Sequence, residues 1–393
     1  MLVSVWVVPC IAVALVGCGR LRFDQEPGPG DSGATTDGSA SDGPGLDAGP
    51  PVGTSYPVGS APLAIGTGDF NNDGYNDLVV TNYGSDSISI LLNDKTGKFG
   101  LSTMLNVGTK PMAVYVTDFN GDSNVDLAVA NGGSDSISVL LGDGAGNFAA
   151  ATFTSCDGEP DALGLGDFDR DGFTDLAIAT YSANEVQLLF GDGTGAFPRS
   201  RNVGACTSPS GIVMGHFNAD SHDDLAVSCY GDNAILVLLG DGNGNFPSPT
   251  LVEMGMQTAP MGLVAYDFSG DGNTDLAAAD FGTGEVGLAK GNGTGAFSAP
   301  SGFPAGTSPA AIASGDVNKD GKADLVLAND LSGGTIEVLH GIGAAGGFAT
   351  QMSYTVGSQP DGVLITDLND DGTGDIVVAN AGSGTISVIL GPL

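Results

Sequence analysis

A nine-residue acidic phrase that recurs seven times constrains the fold of this chain more than any other feature. The first copy reads Asp-Phe-Asn-Asn-Asp-Gly-Tyr-Asn-Asp, from Asp69 to Asp77. Successive copies follow at intervals of 49 to 51 residues. The seven copies, numbered as loops one to seven, begin at Asp69, Asp118, Asp167, His216, Asp267, Asp316 and Asp367. A period of about 50 residues is typical of solenoids and propellers, in which every repeat is one supersecondary unit.

Each repeat has the composition of four short strands. A run of small apolar residues leads into the acidic phrase, and a second apolar run, such as Leu127-Ala128-Val129-Ala130, follows it directly. A turn, a third apolar run, a glycine-rich hairpin with a phenylalanine and a looser fourth run complete the unit, and helical periodicity is absent. Four antiparallel strands per repeat make one propeller blade. The sequence therefore predicts an all-β, seven-bladed β-propeller of four-stranded antiparallel blades.

The two ends of the repeat region predict how the ring closes. The seventh repeat stops at Leu393, after its third strand, whereas residues 54–62 closely resemble residues 352–360, the fourth strand of the sixth blade. We expect the N-terminal segment to supply the missing outer strand of the last blade, because closure removes exposed sheet edges.

The acidic phrase has the residue types of a cation-binding loop. It reads D-x-[DN]-x-D-G-x-x-D, so oxygen ligands stand at positions 1, 3, 5 and 9, and glycine at position 6 permits a sharp turn. This order follows the first half of an EF-hand loop, and oxygen-rich, irregular sites favour calcium over magnesium. The alternative is a metal-free Asx-turn hairpin.

Six loops are predicted to bind calcium, although loop two has Ser123 in place of glycine and loop five has a serine ligand. Loop four begins with His216 and carries Ser221 at the glycine position, so we expect it to be empty. The predicted ligands are Asp69, Asn71, Asp73 and Asp77; Asp118, Asn120, Asp122 and Asp126; Asp167, Asp169, Asp171 and Asp175; Asp267, Ser269, Asp271 and Asp275; Asp316, Asn318, Asp320 and Asp324; and Asp367, Asn369, Asp371 and Asp375.

The net charge of the chain restricts its partners. There are 46 acidic and 11 basic residues, a formal net charge of −35, and 23 of the acidic residues fall within the seven phrases. Nucleic acids and anionic lipids require clustered Lys and Arg, so the composition argues against both as partners. The excess of acid is largely accounted for by the predicted metal ligands.

The N-terminal residues predict export. An apolar stretch from Val3 to Val16 runs into Leu15-Val16-Gly17-Cys18, which resembles a bacterial lipobox, although no Lys or Arg precedes it. We expect residues 1–18 to be a lipoprotein signal peptide with Cys18 as the lipidated residue, residues 19–50 to be a disordered tether rich in Gly, Pro, Ser and Asp, and residues 51–393 to be the propeller. An ordinary secretory signal is the alternative. Gly19 after the cysteine resembles lipoproteins of the outer membrane, so the expected location is the bacterial outer membrane or cell surface, with the lipid anchor as the membrane contact.

The repeats resemble FG-GAP or VCBS-type repeats, which occur in the integrin α-subunit propeller and in many bacterial surface proteins. The resemblance covers residues 52 to 393 and implies a calcium-stabilised, monomeric propeller that recognises or adheres to a glycan or protein. A calcium-dependent polysaccharide lyase and a purely structural envelope protein are the alternatives. The resemblance does not identify the ligand.

One ring position is a candidate ligand surface. Six residues after the last aspartate of four loops stand Tyr83, Tyr181, Tyr230 and Phe281, on the face opposite to the acidic loops. Aromatic rings beside polar groups can stack on sugars, whereas the alternative is packing between neighbouring blades.

The remaining reactive side chains do not predict catalysis. Cys206 and Cys229 fall in the same repeat and either form a disulfide or, with Cys156, remain free thiols. His216 and His222 flank loop four, where a degenerate calcium loop is favoured over a zinc site, and His340 lies in a third strand, where we interpret it as a blade-edge residue. We therefore expect a binding protein and no enzyme.

Overall fold

The four apolar runs of every repeat form four antiparallel strands, and the seven repeats form seven separate sheets. The computed structural model describes residues 53–343 and 346–393. The predicted all-β, seven-bladed propeller is confirmed. The predicted signal peptide, Cys18 and the tether lie outside the described residues. Within those residues, no helix is long and apolar enough to span a bilayer.

The strands of each blade run in sequence order from the centre of the ring to its rim, after an initial strand β1 (Thr54–Pro57). Blade one contains β2 (Pro62–Gly68), β3 (Asp77–Asn82), β4 (Ser87–Leu91) and β5 (Thr103–Asn106). Blade two contains β6 (Pro111–Thr117), β7 (Asp126–Asn131), β8 (Ser136–Leu140) and β9 (Thr152–Ser155). Blade three contains β10 (Pro160–Gly166), β11 (Asp175–Thr180), β12 (Glu185–Phe190) and β13 (Arg199–Ala205).

The later blades repeat this arrangement. Blade four contains β14 (Pro209–Gly215), β15 (Asp224–Cys229), β16 (Ala234–Leu238) and β17 (Thr250–Glu253). Blade five contains β18 (Pro260–Tyr266), β19 (Asp275–Asp280), β20 (Glu285–Ala289) and β21 (Ser301–Pro304). Blade six contains β22 (Pro309–Gly315), β23 (Asp324–Asn329), β24 (Thr335–Gly341) and β25 (Phe348–Thr355). Blade seven contains β26 (Pro360–Thr366), β27 (Asp375–Asn380) and β28 (Thr385–Ile389).

Burial falls from the second strand of a blade to its rim. Every residue of the seven second strands is buried, whereas the outer strands of blades one and two expose most of their residues. Neighbouring blades cover both faces of the second strand, so the residues between its polar ends are mainly apolar and do not alternate with polar ones. Each first strand begins with a proline, which lacks the N–H that an internal ladder position requires.

Aromatic pairs join neighbouring blades. The phenylalanine at position 2 of an acidic loop meets the hairpin phenylalanine of the next blade edge to face, with ring centroids 5.3 to 6.0 Å apart. The pairs are Phe70–Phe148, Phe119–Phe197, Phe168–Phe246, Phe217–Phe297 and Phe268–Phe348. Such pairs contribute about 0.5–1.5 kcal/mol each beyond the area that they bury. The recurrent phenylalanines therefore hold the blades together.

The ring closes as the sequence predicts. β1 pairs antiparallel with β28, with Thr54 opposite Val388 and Pro57 opposite Thr385. Tyr56 of β1 also packs edge to face on Phe99 of blade one, at 5.5 Å between ring centroids. The N-terminal strand therefore completes blade seven and contacts blade one.

The two cysteines of the fourth repeat form a disulfide, Cys206–Cys229, which connects the segment before β14 to the end of β15. Of the two alternatives that the sequence left open, a disulfide or free thiols, these two cysteines therefore form the disulfide. Cys156 is a buried free thiol.

Candidate metal centre

The seven acidic loops lie on one face of the ring. Each connects the first strand of a blade to the second, and the hairpin between the third and fourth strands lies beside it. The backbone N–H of Gly146 in the hairpin of blade two donates to the carbonyl of Phe70 in loop one, at 2.8 Å, and equivalent bonds join blades three, four and five to their predecessors. We call this side the loop face, and the side with the other connections the far face.

The carboxylate at position 1 organises the backbone of six loops. In loop one, Asp69 accepts hydrogen bonds from the N–H groups of Asp73 and Gly74, at 2.9 and 2.8 Å. The same two bonds occur in loops two, three, five, six and seven. The aspartate at position 5 accepts from the residue two positions later, as Asp73 does from Tyr75 at 3.1 Å. The chain thus wraps around its own carboxylates, with the predicted ligand residues on the inside of one tight turn.

The aspartate at position 9 has a second, structural role that the sequence did not reveal. Asp77 is fully buried; one of its oxygens accepts the N–H of Phe70 at 3.0 Å and the other that of Asn93 at 2.7 Å. The same pair of backbone bonds recurs at Asp126, Asp175, Asp224, Asp324 and Asp375, and Asp275 accepts from Ser269 and Gly291. This carboxylate fastens the start of the loop to the end of the third strand. The spacing of 16 or 17 residues between this aspartate and its partner at the end of the third strand is the sequence signal for this role.

Loop three brings three carboxylates into one cluster. Oxygen atoms of Asp167, Asp169 and Asp175 all lie within 4.8 Å of one another. Oδ1 of Asp169 is buried without a hydrogen-bond partner, and the guanidinium of Arg199 lies 2.8 Å from Oδ2 of the same residue. Clustered oxygen ligands with an orphaned acceptor fit a hard cation. Such acidic clusters can hold a metal ion.

Burial and mutual repulsion oppose ionisation of the position-9 carboxylates. Desolvation by burial, with smaller contributions from the nearby carboxylates of Asp169 and Asp171, raises the pKa of Asp175 to about 7. Burial likewise raises the pKa of Asp77 to about 6, with Asp73 and Asp69 adding to the effect. A cation in the loop would reverse this repulsion and favour the charged forms.

Loop four departs from the other six loops. His216 occupies position 1, and its Nδ1 contacts the carbonyl of His222 at 2.9 Å, so the carboxylate that organises the other loops is missing. Ser221 adopts a left-handed conformation, with φ of 62°, at the glycine position. The position-9 aspartate nevertheless keeps its two backbone hydrogen bonds: Asp224 accepts the N–H groups of Phe217 and Gly240, both at 2.8 Å. Loop four therefore keeps the structural aspartate but lacks the position-1 carboxylate of the other six loops.

Basic and imidazole groups beside the carboxylates of loops one and six were not expected from the sequence. Nδ1 of His340, at the end of β24, lies 3.5 Å from Oδ1 of Asp324 and 3.0 Å from Nδ2 of Asn318. The ammonium groups of Lys95 and Lys322 lie 3.4 and 3.1 Å from the position-5 aspartates of loops one and six. His340 thus contacts loop six. Its position next to Gly341, which binds Asp324, follows from the same 17-residue spacing.

The four predicted aromatic residues lie on the far face and are each half-buried. Tyr230 and Phe281 pack against a buried cluster that includes Met261, and Tyr83 packs beside Met112. Packing, the alternative that the sequence left open, therefore occurs at three of these positions, although none of the four residues is fully buried. Their predicted role in binding stays a prediction.

The sequence matches one family model over most of the propeller. Six overlapping segments match the FG-GAP-like repeat, at residues 69–129, 118–178, 167–227, 216–278, 267–327 and 316–378. Each segment begins at the first residue of one acidic loop and extends past the last residue of the next acidic loop. No curated protein matches the chain.

Several solved structures share the fold at low sequence identity. A catalytically inactive variant of virginiamycin B lyase from Staphylococcus aureus, with quinupristin, is 16% identical with a TM-score of 0.58, covering 85% of this chain and 98% of that chain. BBS1N in complex with ARL6DN, soaked with lead, is 14% identical with a TM-score of 0.59, covering 86% and 95%. A functionally unknown protein from Desulfotomaculum acetoxidans is 12% identical with a TM-score of 0.53, covering 80% and 98%. At these identities the similarity shows the fold alone.

Proposed function

This chain belongs to the FG-GAP-like repeat family, and from that premise we propose that it is a calcium-stabilised recognition module for a glycan or protein ligand. In this proposal six loops hold calcium and loop four does not. The ions would neutralise carboxylates that the fold itself brings together, and so make the propeller more stable.

The carboxylate cluster of loop three is the observation that supports calcium most directly. Asp167, Asp169 and Asp175 place oxygens within 4.8 Å of one another, and burial raises the pKa of Asp175 to about 7. A cluster of buried negative charges costs free energy unless a counter-ion is present. Oxygen-only ligands of this kind suit calcium, which tolerates irregular coordination.

Thermal unfolding during a calcium titration tests this proposal. Purified protein is stripped of metal with EGTA, and we expect the melting temperature to rise as calcium is added, because sites formed only in the folded state stabilise it by mass action. At 100 times its Kd, each ion contributes about 2.7 kcal/mol. Magnesium should be far less effective. An unchanged melting temperature would contradict the proposal.

A matched pair of variants locates the effect. Asp371→Asn in loop seven and Asp220→Asn in loop four both keep an oxygen that can accept the local backbone N–H, at 2.8 and 2.9 Å in the parent protein. We expect Asp371→Asn to reduce the calcium-induced rise and Asp220→Asn to leave it unchanged. An equal reduction in both variants would show that loop four binds calcium as well, whereas no reduction in either would contradict a site in loop seven.

We also propose that the protein is exported and anchored by a lipid on Cys18 at the outer membrane or cell surface. The support is the lipobox-like segment Leu15-Val16-Gly17-Cys18. Metabolic labelling with a palmitate analogue should mark the wild type and not Cys18→Ser. Label on both proteins would contradict the anchor.

The proposal does not include catalysis. A polysaccharide lyase would need cationic groups beside its acidic substrate. Among the described residues, Lys110 is the one Lys or Arg in the connections of the far face, and its ammonium lies over Tyr83. A binding role is therefore better supported than the lyase alternative.

A further inference from the structure

The junction between blade seven and blade one differs from four other junctions of the ring. At those four, a hairpin glycine donates its backbone N–H to the carbonyl of the position-2 residue in the preceding loop, at 2.7 to 3.2 Å. In blade one the corresponding glycine is Gly97, and its N–H donates to the side-chain Oδ1 of Asn93 at 3.1 Å. The carbonyl of Leu368, at position 2 of loop seven, accepts a hydrogen bond from Nδ2 of Asn93 at 2.7 Å instead. A side-chain amide therefore takes the place of a backbone donor at this junction.

Asn93 stands where the six other blades have glycine. Those glycines donate their N–H groups to the position-9 aspartates of their own blades, as Asn93 does to Asp77 at 2.7 Å. In five of the six, a Cβ atom would clash with the carbonyl of the residue at position 8. In blade one that residue is Asn76, and its carbonyl accepts a hydrogen bond from Nδ2 of Asn93 at 2.9 Å. Asn93 is 5% exposed and its Oδ1 also accepts the N–H of Lys95 at 3.0 Å, so hydrogen bonds fix the orientation of its amide.

Asn76 makes a second contact between the same two blades. Its Nδ2 donates to Oγ1 of Thr366 at 3.1 Å and to the carbonyl of Asp367 at 3.2 Å. Asp367 is the predicted ligand at position 1 of loop seven. The other six loops have no amide at position 8, where they carry Val125, Thr174, Asp223, Thr274, Ala323 and Gly374. Two amides of blade one therefore hold two successive carbonyls at the start of loop seven.

A continuous chain of hydrogen bonds joins the position-9 aspartates of loops one and seven. Oδ1 of Asp77 accepts the backbone N–H of Asn93 at 2.7 Å, and Nδ2 of Asn93 donates to the carbonyl of Leu368. The N–H of Leu368 in turn donates to Oδ2 of Asp375 at 2.9 Å. All four residues are buried, so water does not compete for these bonds, which are stronger than they would be in water. A change in the position of one aspartate is therefore transmitted to the other.

From this arrangement we infer that Asn93 and Asn76 form a latch that closes the ring on the loop face and couples this closure to the cation of loop seven. β1 holds blade seven at the rim, whereas the latch holds the start of its acidic loop against blade one. A cation bound by Asp367 and Asp375 would fix the backbone that the latch grips, and the latch would keep these two ligands in place for the cation. Such coupling acts equally in both directions. The inference rests on the proposed calcium function, for which it specifies how one site acts on the ring.

Hydrogen exchange measured by mass spectrometry tests the latch, because exchange rates report the opening of individual segments. Wild type and Asn93→Asp are compared in EGTA and in saturating calcium. The aspartate keeps the oxygen that accepts from Lys95 and Gly97, but it replaces the N–H donor with an oxygen that faces the carbonyls of Asn76 and Leu368. We expect exchange in β26, β27 and β28 to rise about tenfold or more, as for the loss of a buried donor, and exchange in blades three and four to stay at the wild-type rate.

Two further variants keep the test independent of the added charge. Asn147→Asp makes the same substitution in the hairpin of blade two, where the amide donates to Asp143 of the same hairpin at 3.0 Å, and it should leave blade seven unchanged. Asn76→Thr introduces the residue that loops three and five carry at position 8, so it is compatible with the fold, and it should loosen blade seven. Equal exchange in blade seven for Asn93→Asp and Asn147→Asp would overturn the inference. A uniform rise across all seven blades would also overturn it, because it would show a general loss of stability.

The effect of calcium distinguishes this inference from the proposed function. We expect calcium to slow exchange in blade seven of the wild type more than in Asn93→Asp or Asn76→Thr. If calcium slows exchange but neither variant changes blade seven, the latch is refuted and the calcium function stands. If the variants loosen blade seven and calcium protects every protein by the same factor, the coupling is refuted and calcium binding stands. If the variants loosen blade seven and calcium protects none of them, the coupling is refuted together with the calcium part of the proposed function.

Discussion

Replacing the buried acid Asp280 with asparagine should stabilise the propeller, increasingly so as the pH rises. Asp280 ends β19, is 2% exposed, and its Oδ1 has no hydrogen-bond partner. Four other blades have asparagine at this position: Asn82, Asn131, Asn329 and Asn380. Three of these amides donate to a serine seven residues later, on the third strand. In blade five that residue is Gly287, which offers no side chain.

The pKa of Asp280 determines the sign and size of the effect. Burial, with a further contribution from Glu285, raises this pKa from 3.8 to about 8. The folded state therefore binds more protons than the unfolded state between these values, so the contribution of Asp280 to stability is lost as the pH rises through this window. Each pKa unit corresponds to about 1.4 kcal/mol, which gives an upper limit of about 4 kcal/mol at pH 7 relative to acid.

Chemical denaturation of wild type and Asp280→Asn at several pH values measures this effect. In saturating calcium, we expect the difference in free energy of unfolding between the two proteins to grow by about 1 kcal/mol per pH unit between pH 5 and 8. Glu285→Gln, which removes the neighbouring charge, should lower the pH at which the difference stops growing without abolishing the effect. Parallel stability curves for wild type and Asp280→Asn would refute the reasoning, because they would show that Asp280 does not titrate differently on folding.

Three other changes test separate features of the structure. Ser123→Gly should stabilise loop two by about 0.5–1 kcal/mol, since Ser123 has a φ of 71°, whereas Ser123→Ala retains Cβ and should give no gain in thermal unfolding. Arg199→Ala should tighten calcium binding to loop three in calorimetry, because the guanidinium competes for the carboxylates, 2.8 Å from Asp169 and 3.6 Å from Asp171. Arg201→Ala is the control, and equal effects of the two variants would contradict direct competition. Cys206→Ala with Cys229→Ala should lower the free energy of unfolding by about 3 kcal/mol, as expected for a disulfide with a sequence separation of 23 residues. The double variant should also unfold identically with and without reductant, and a remaining effect of reductant would show that this disulfide does not cause it.

The architecture could be predicted because its signal is repeated and local. The constant spacing of the acidic phrase gave the number of blades, and the similarity of residues 54–62 to 352–360 predicted the pairing of β1 with β28. The disulfide between Cys206 and Cys229 could be given only as one of two alternatives, because the distance between two cysteines in the sequence does not show whether their side chains meet.

The second role of the position-9 aspartates could not be predicted from the phrase itself. The pattern predicts Asp77 as a ligand, yet one of its oxygens accepts the N–H of Asn93, which lies 16 residues later, after β4. The same distant contact explains why Asp224 remains in loop four although His216 has replaced the first ligand. A residue can therefore recur in every repeat for the fold alone. The proximity of His340 to Asp324 depends on the same packing of loop and third strand.

The pairing of β1 with β28 has a mechanical consequence. β1 has four residues, and the chain enters it from residues 1–52 on its N-terminal side. A pull transmitted through those residues therefore loads this short strand before any other part of the ring. We expect the ring to yield first at this joint, by detachment of the rim strand of blade seven, while the hydrogen-bonded strands of the other six blades remain assembled.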